Sequence, residues 1–334
     1  MAQSYDAVLV VSFGGPEGRD DVLPFLENVL RGKHVPRERM LAVAEHYYHF
    51  GGKSPLNAQN RALVAALANR LAEAGPALPV YLGNRNWQPL LADTLGQMAR
   101  DGIRRALGFV TSAYSSYSSC RQYLEDIERA RQVVGPQAPE VDKLRVFFNH
   151  PGFIEPMAMS VASAREQIPA SRRDQARIIY TAHSIPLAMA GRCAYEAQLN
   201  EAARLVSERL ALGRHQLAYQ SRSGPPQQPW LEPDILDVLK QLASAGDTSD
   251  VVIAPIGFLS EHIELLWDLD TEAQAECDRL GLNMVRAAAV GSHPQFVEMI
   301  RELILERVAG APRRVLGSFP ASHDTCAADC CPKA

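Results

Sequence analysis

The chain has 334 residues, 47% of them apolar and 22% charged, with a formal net charge of −4. That is enough material for one large α/β domain or two packed halves, and it leaves no basic footprint for nucleic acid. The first apolar run, "AVLVVSF", is too short for a signal-peptide core, and no stretch of roughly 18 apolar residues occurs, so no bilayer span and a cytoplasmic address are expected.

In chain order, short β-branched runs recur: 7–13, 78–83, 105–113, 144–148, 176–184, 217–221, 250–258 and 283–289. Helical periodicity fills the gaps, as in Leu63, Leu67 and Leu71, or Leu199, Ala202, Val206 and Leu210. Strands alternating with helices predict parallel sheets covered on both faces. The runs divide into two groups of four, predicting two doubly wound lobes with a cleft between them: an N-terminal lobe over 1–160 and a C-terminal lobe over 161–310. After residue 310 the sequence loses periodicity and gains Pro, Gly and Ser, so 311–334 reads as a tail.

Ligands of such sheets gather at the carboxyl ends of the strands, so the turns there are the places to look for chemistry. "GGPEG" follows the first run; it matches no nucleotide motif and suits a tight turn against a flat ligand as well as a phosphate cradle. Cations at Arg31, Lys33 and Arg85 could hold carboxylates, or could be ordinary surface charges. His183 closes "ARIIYTAHS", where an imidazole can serve as base, as metal ligand, or as a plain donor to a carbonyl. "GFLSEHIELLWDLD" (257–270) sets Glu261, Glu264 and Asp268 at i, i+3 and i+7 if the chain turns helical after Phe258. Such a carboxylate row is either a solvated face or a binding surface for a hard or borderline divalent ion.

The six cysteines fall at Cys120, Cys193, Cys277, Cys326, Cys330 and Cys331. Cys193 and Cys277 lie in helical contexts and read as packing residues. The tail run "CAADCC" supplies three thiols, and Cys120, in a polar loop, is the best candidate for a fourth. Four thiolates suit an iron–sulfur or zinc site, and the spacing equally allows a tail with reactive thiols.

"SFGGPEG", "HFGGKSP", "GNRNW", "TAHSIP", "YQSRSGPPQQPWLEPD" and "PIGFLSEHIELLWDLD", in this order over roughly residues 6–310, resemble the ferrochelatase family, which inserts Fe(II) into porphyrins. The wording is most similar to the actinobacterial branch, whose members use coproporphyrin III. The resemblance implies a Rossmann-like chelatase fold, two lobes each built around a four-stranded parallel sheet, with coproporphyrin III held in the cleft. His183 and Glu264 would face each other across the porphyrin centre as the catalytic pair and the ligands of the substrate Fe2+. Glu261, His262 and Asp268 would belong to an acidic route for iron or protons. Arg31, Tyr47, Ser54, Arg85 and Tyr123 would contact propionates. Phe13 takes the place above the macrocycle where relatives carry methionine or tyrosine, and a phenyl ring cannot ligate iron. Cys120, Cys326, Cys330 and Cys331 would hold a [2Fe-2S] cluster, although C-x3-C-C is tighter than the spacing in the animal enzymes. Transient contact with neighbouring haem-pathway enzymes is a further implication. The rivals to a coproporphyrin enzyme are a protoporphyrin IX or cobalt chelatase, a non-catalytic porphyrin carrier, and a redox sensor built on the tail.

Overall fold

The computed structural model describes residues 4–33, 35–224, 227–247, 249–327 and 329–333. Pro225 and Pro226 of the "SRSGPPQQPW" turn, and Ala328 inside "CAADCC", lie outside the described residues.

Eight strands make two parallel sheets. β1 (Ala7–Ser12), β2 (Val80–Asn84), β3 (Arg105–Val110) and β4 (Glu140–Lys143) run in the order β2-β1-β3-β4. β5 (Arg177–His183), β6 (His215–Gln220), β7 (Val251–Ala254) and β8 (Met284–Arg286) run in the order β6-β5-β7-β8. The chain folds as two compact units, each interrupted in sequence. The first takes the chain up to Thr111, Gln122–Leu144 and Ile300–Pro312; the second takes Ser112–Arg121, Arg145–Met299 and the chain from Arg313 onward.

Each sheet is covered by helices, which is why its central strands read as unbroken apolar runs. In the first unit every residue of β1 is buried, with Ala7, Leu9 and Val11 packed against Leu91, Leu95 and Met98 of one helix and Tyr123, Ile127 and Ala130 of another. In the second, Ile179, Val251 and Ile253 pack against Val238, Leu239, Leu265, Leu269 and Cys277. Each such aliphatic side chain contributes about 1.5–3 kcal/mol of burial free energy. Cys277 is thus a packing residue, and burial pushes its thiol up to about 12.

Two local expectations are corrected. The fourth strand is not 144–148 but Glu140–Lys143, a more polar strand paired with β3 at the edge of its sheet. Leu144 makes the last ladder-like bond, its N–H to Gly108 O at 2.8 Å, and Val146, Phe147 and Phe148 are buried without being in a strand. Phe147 packs edge-on to Phe153 and Phe296, so the apolar run marks core and not sheet. The second correction concerns the carboxylate row. The helix after β7 starts at Ile263, not at Phe258, because a tight turn intervenes. There Gly257 donates to Thr181 O at 3.0 Å, and a Cβ on it would lie 2.6 Å from Ala182 Cα.

Candidate active site

β5 lies between β6 and β7, so the connections leaving β5 and β7 go to opposite sides of the sheet, and the carboxyl ends of these two neighbours form the topological switch point where open α/β sheets bind ligands. His183 is the last residue of β5, and Glu264 opens the helix Ile263–Trp267 that follows β7. Fold topology therefore brings together two residues 81 positions apart in sequence, with His183 Nε2 4.0 Å from Glu264 Oε2.

The backbone decides which imidazole nitrogen is available. His183 Nδ1 hydrogen-bonds the carbonyl of Ser184, which can only accept, so Nδ1 carries the proton. In the neutral ring Nε2 then keeps its lone pair, and it is this atom that lies 4.0 Å from Glu264 Oε2. Tyr195, whose hydroxyl donates to His183 O at 3.0 Å, and Ser184, whose Oγ donates to Leu231 O at 2.8 Å, fix the surrounding backbone. Both side chains remain reachable: that of His183 is 33% exposed and that of Glu264 50%.

One helical turn beyond Glu264, Asp268 accepts hydrogen bonds from Ser221 Oγ and from Gln220 Nε2, the latter at 3.1 Å. Burial, reinforced by the charge of Glu264, outweighs those bonds and pushes its carboxyl up to about 7. The helix from Ile263 passes into a π-helical turn at Asp268–Ala273, an irregularity common at functional sites. Glu261 does not share this face. It precedes the helix, its Oε1 accepts from Arg286 Nη1 at 3.1 Å and from Ala289 N at 2.9 Å, and Arg286 also binds Asp270. His262 caps the helix with extended backbone, its ring 4.9 Å from that of Phe258, and burial lowers its pKa. The predicted row of three carboxylates is thus a pair, Glu264 and Asp268, with Glu261 held in a separate ion-pair network.

In the first unit, Phe13 follows β1 with a partly exposed ring, 6.2 Å from Phe25, and Tyr47 lies 5.7 Å from the same Phe25. The Arg85 guanidinium sits 4.4 Å over the Tyr123 ring and 5.8 Å from that of Phe13, and it is paired with Asp126. The side chains of that pair are only 7% and 12% exposed, so Arg85 is committed to a carboxylate of its own chain. Arg31 is exposed at the end of the helix Val22–Leu30, bonded to Asn28. Ser54 is buried against Gly15, where a Cβ would meet Ser54 Cβ at 2.8 Å.

The "GGPEG" turn is held by amides that sequence reading missed. Asn57 Nδ2 donates to Gly15 O at 2.9 Å and Glu17 Oε1 at 3.0 Å, and Asn60 donates to Ser12 Oγ at 2.7 Å. Gly14 has φ +83°, and a Cβ there would approach Asn84 Cβ to 2.9 Å, which makes this a tight packing turn. Asp126, Gln220, Ser221 and Arg286 were missed likewise. Each is a polar residue whose partner is distant in sequence, so no local pattern marks it.

The tail thiols form a third group. Cys330 Sγ is 3.9 Å from Cys331 Sγ and 3.6 Å from His323 Nε2. Cys331 is buried, which together with the nearby Cys330, Cys120 and Cys193 pushes its thiol up to about 12. Burial and Cys330 also raise Cys193, so Cys193, read from sequence as a packing residue, stands among the tail thiols. A thiol-rich donor set of this kind fits an iron–sulfur cluster or another soft-ligand metal site. Among the described residues no helix is long and apolar enough to cross a membrane.

Solved structures of SirB from Bacillus subtilis share the fold. One, with Fe3+, has a TM-score of 0.54 at 13% identity, covering 92% of this chain and 97% of that one. A second, the sirohydrochlorin chelatase SirB of the subspecies spizizenii with cobalt, has a TM-score of 0.51 at 13% identity, with coverages of 91% and 94%. Among curated sequences, a ferrochelatase of Rhodopirellula baltica is 56% identical over 98% of this chain and 93% of its own length. Coproporphyrin III ferrochelatases of Nocardia farcinica and Mycolicibacterium smegmatis are 50% and 51% identical, over 98% and 95% of this chain and 96% and 94% of theirs. The ferrochelatase family model matches residues 5–308. With its fold, the residues gathered at the switch point of its second sheet and this match over nearly its whole length, the chain belongs to the ferrochelatase family.

Proposed function

We propose that the protein inserts Fe(II) into coproporphyrin III, releasing the two pyrrolic protons, to give iron coproporphyrin in haem synthesis. The observation that carries the mechanism is the opposition of His183 Nε2 and Glu264 Oε2 at 4.0 Å, an imidazole nitrogen against a carboxylate oxygen, at the switch point of the second sheet. A free-base porphyrin holds two N–H protons where the metal must go. Bending the macrocycle turns the nitrogen lone pairs toward one face, and binding contacts at its edge supply the strain.

With Nδ1–H spent on Ser184 O, Nε2 of His183 accepts a pyrrolic proton or holds the arriving Fe(II), and Glu264 takes the complementary part. Asp268, with its carboxyl near 7, can exchange that proton at neutral pH and pass it on. Glu261, bound to Arg286, joins the acidic route only by leaving that partner.

The porphyrin contacts belong to the same proposal. Phe13 lies against the flat face, Arg31, Tyr47, Ser54 and Tyr123 serve the propionates, and Arg85 reaches a propionate only by exchanging it for Asp126. Cys120, Cys326, Cys330 and Cys331 hold a [2Fe-2S] cluster, which supplies one-electron redox chemistry when bound. The enzyme works in the cytoplasm and meets neighbouring haem-pathway enzymes transiently.

Anaerobic Fe(II) insertion assayed side by side with coproporphyrin III and protoporphyrin IX tests the reading. A higher kcat/KM for coproporphyrin III is expected, whereas a preference for protoporphyrin IX or binding without turnover of either would refute it. Protein purified without air should show sulfur-to-iron charge-transfer bands, and their absence would remove the cluster.

A further inference from the structure

We propose that the helix Tyr195–Arg209 links the cysteine-bearing segments to the catalytic imidazole, with Gln198 and Glu201 as positioning residues that act through Tyr195. A polar stripe on a helix is ordinarily solvated, yet Tyr195, Gln198 and Glu201, at successive steps of three along one side, are only 5%, 6% and 6% exposed. Buried polar groups are kept for the partners they hold, and each of the three holds a different segment of the same unit.

Tyr195 donates to His183 O at 3.0 Å. The Gln198 amide spends both ends on Ser115, accepting from its N–H at 2.7 Å and donating to its Oγ at 3.1 Å. One residue on, Ser116 O accepts from Cys120 N at 3.0 Å, so Gln198 anchors the turn that presents Cys120. Glu201, gripped by Arg204 through two bonds of 2.8 Å, receives the tail: it accepts from the Ser318 N–H, and a Cβ on Gly317 would lie 2.0 Å from its Oε1. Gly317 has φ +73°, so only glycine passes the carboxylate this closely. Leu316 N donates to Asn149 O at 2.8 Å and Asn149 Nδ2 to Phe319 O at 2.9 Å, which seats the same strap before the helix Pro151–Glu166. Farther along the tail, Ala327 O, between Cys326 and Cys330 in sequence, accepts from Nη2 of Arg121, the neighbour of Cys120, at 3.3 Å.

A helix moves as a rigid rod, so a shift of either cysteine segment is passed to Tyr195 and from there to the backbone of His183. Releasing Ser115 or the strap misplaces the imidazole while the porphyrin contacts stay, which lowers kcat and not affinity. The path from Ser115 to His183 consists of hydrogen bonds of this chain alone; its extension to the thiols rests on the four-cysteine cluster proposed above.

A double-mutant cycle on the full chain tests the path. Tyr195→Phe and Gln198→Leu each lower kcat for iron insertion by about 2–30-fold with the porphyrin KM unchanged, and the double variant is no slower than the slower single one. Gly317→Ala, which displaces the strap from outside the helix, lowers kcat likewise and speeds the loss of sulfur-to-iron absorption under an anaerobic chelator. In Gln198→Leu and Gly317→Ala, hydrogen exchange over residues 183–187 quickens, while far-ultraviolet circular dichroism stays native. Additive effects in the cycle, or unchanged exchange over 183–187 in both variants, overturn the proposal. Exchange needs neither turnover nor a cluster, so a protein that inserts no iron or lacks the charge-transfer bands refutes the reading above and leaves exchange to decide the role of the helix.

Discussion

The two sheets thread their strands alike, second, first, third, fourth, yet the turns at the ends of their leading strands carry different chemistry. β1 ends in an aromatic ring and a glycine turn laced by asparagine amides, with a guanidinium stacked on two rings nearby. β5 ends in an imidazole set against a carboxylate, with a second carboxylate near neutral pKa one turn away. The same topology supplies a switch point in both cases; what differs is whether the side chains placed there can move protons and bind a cation. Phenyl and amide groups can shape and hold a flat ligand. Imidazole and carboxylate can do the exchange.

That division sets the size of the expected effects. Glu264→Gln removes an anionic acceptor and keeps the shape, so kcat for iron insertion should fall about 10²–10⁴-fold with porphyrin affinity little changed, as a KM-against-kcat comparison would show. Asp126→Asn leaves the buried Arg85 charge without its counter-ion, which costs about 3–5 kcal/mol of stability in a denaturant titration, and because it frees Arg85 for a propionate it should lower the KM for porphyrin with kcat little changed. Gly257→Ala forces a Cβ against Ala182 and should cost about 1–3 kcal/mol, with insertion lowered through displacement of His183, its neighbour at the end of β5.

The smallest effect concerns pH. A proton acceptor must be deprotonated to act, and burial holds the Asp268 carboxyl up to about 7, so insertion should rise with pH through that value. Asp268→Asn should flatten this limb and change the rate only several-fold above it. A limb that survives in Asp268→Asn would assign the titration to another group.

Much of the second site was legible in sequence because it follows from position: His183 at the end of an apolar run, and carboxylates immediately after another. Spacing misplaced Glu261 because periodicity cannot reveal the turn at Gly257 that delays the helix to Ile263. Nor could it reveal that Arg286, from the adjacent β8, would claim that carboxylate. β4 was misplaced for a related reason: a run such as Leu144–Phe148 is apolar because it is buried, whether or not it joins a ladder.

The most direct test of the division between the two strand ends sets His183→Ala beside Phe13→Ala, with coproporphyrin III binding and anaerobic Fe(II) insertion measured on both. His183→Ala should bind the porphyrin with near-native affinity and lose insertion by at least about 10²-fold, while Phe13→Ala should lose affinity and keep most of its turnover at saturation. Near-native iron insertion by His183→Ala would contradict that division.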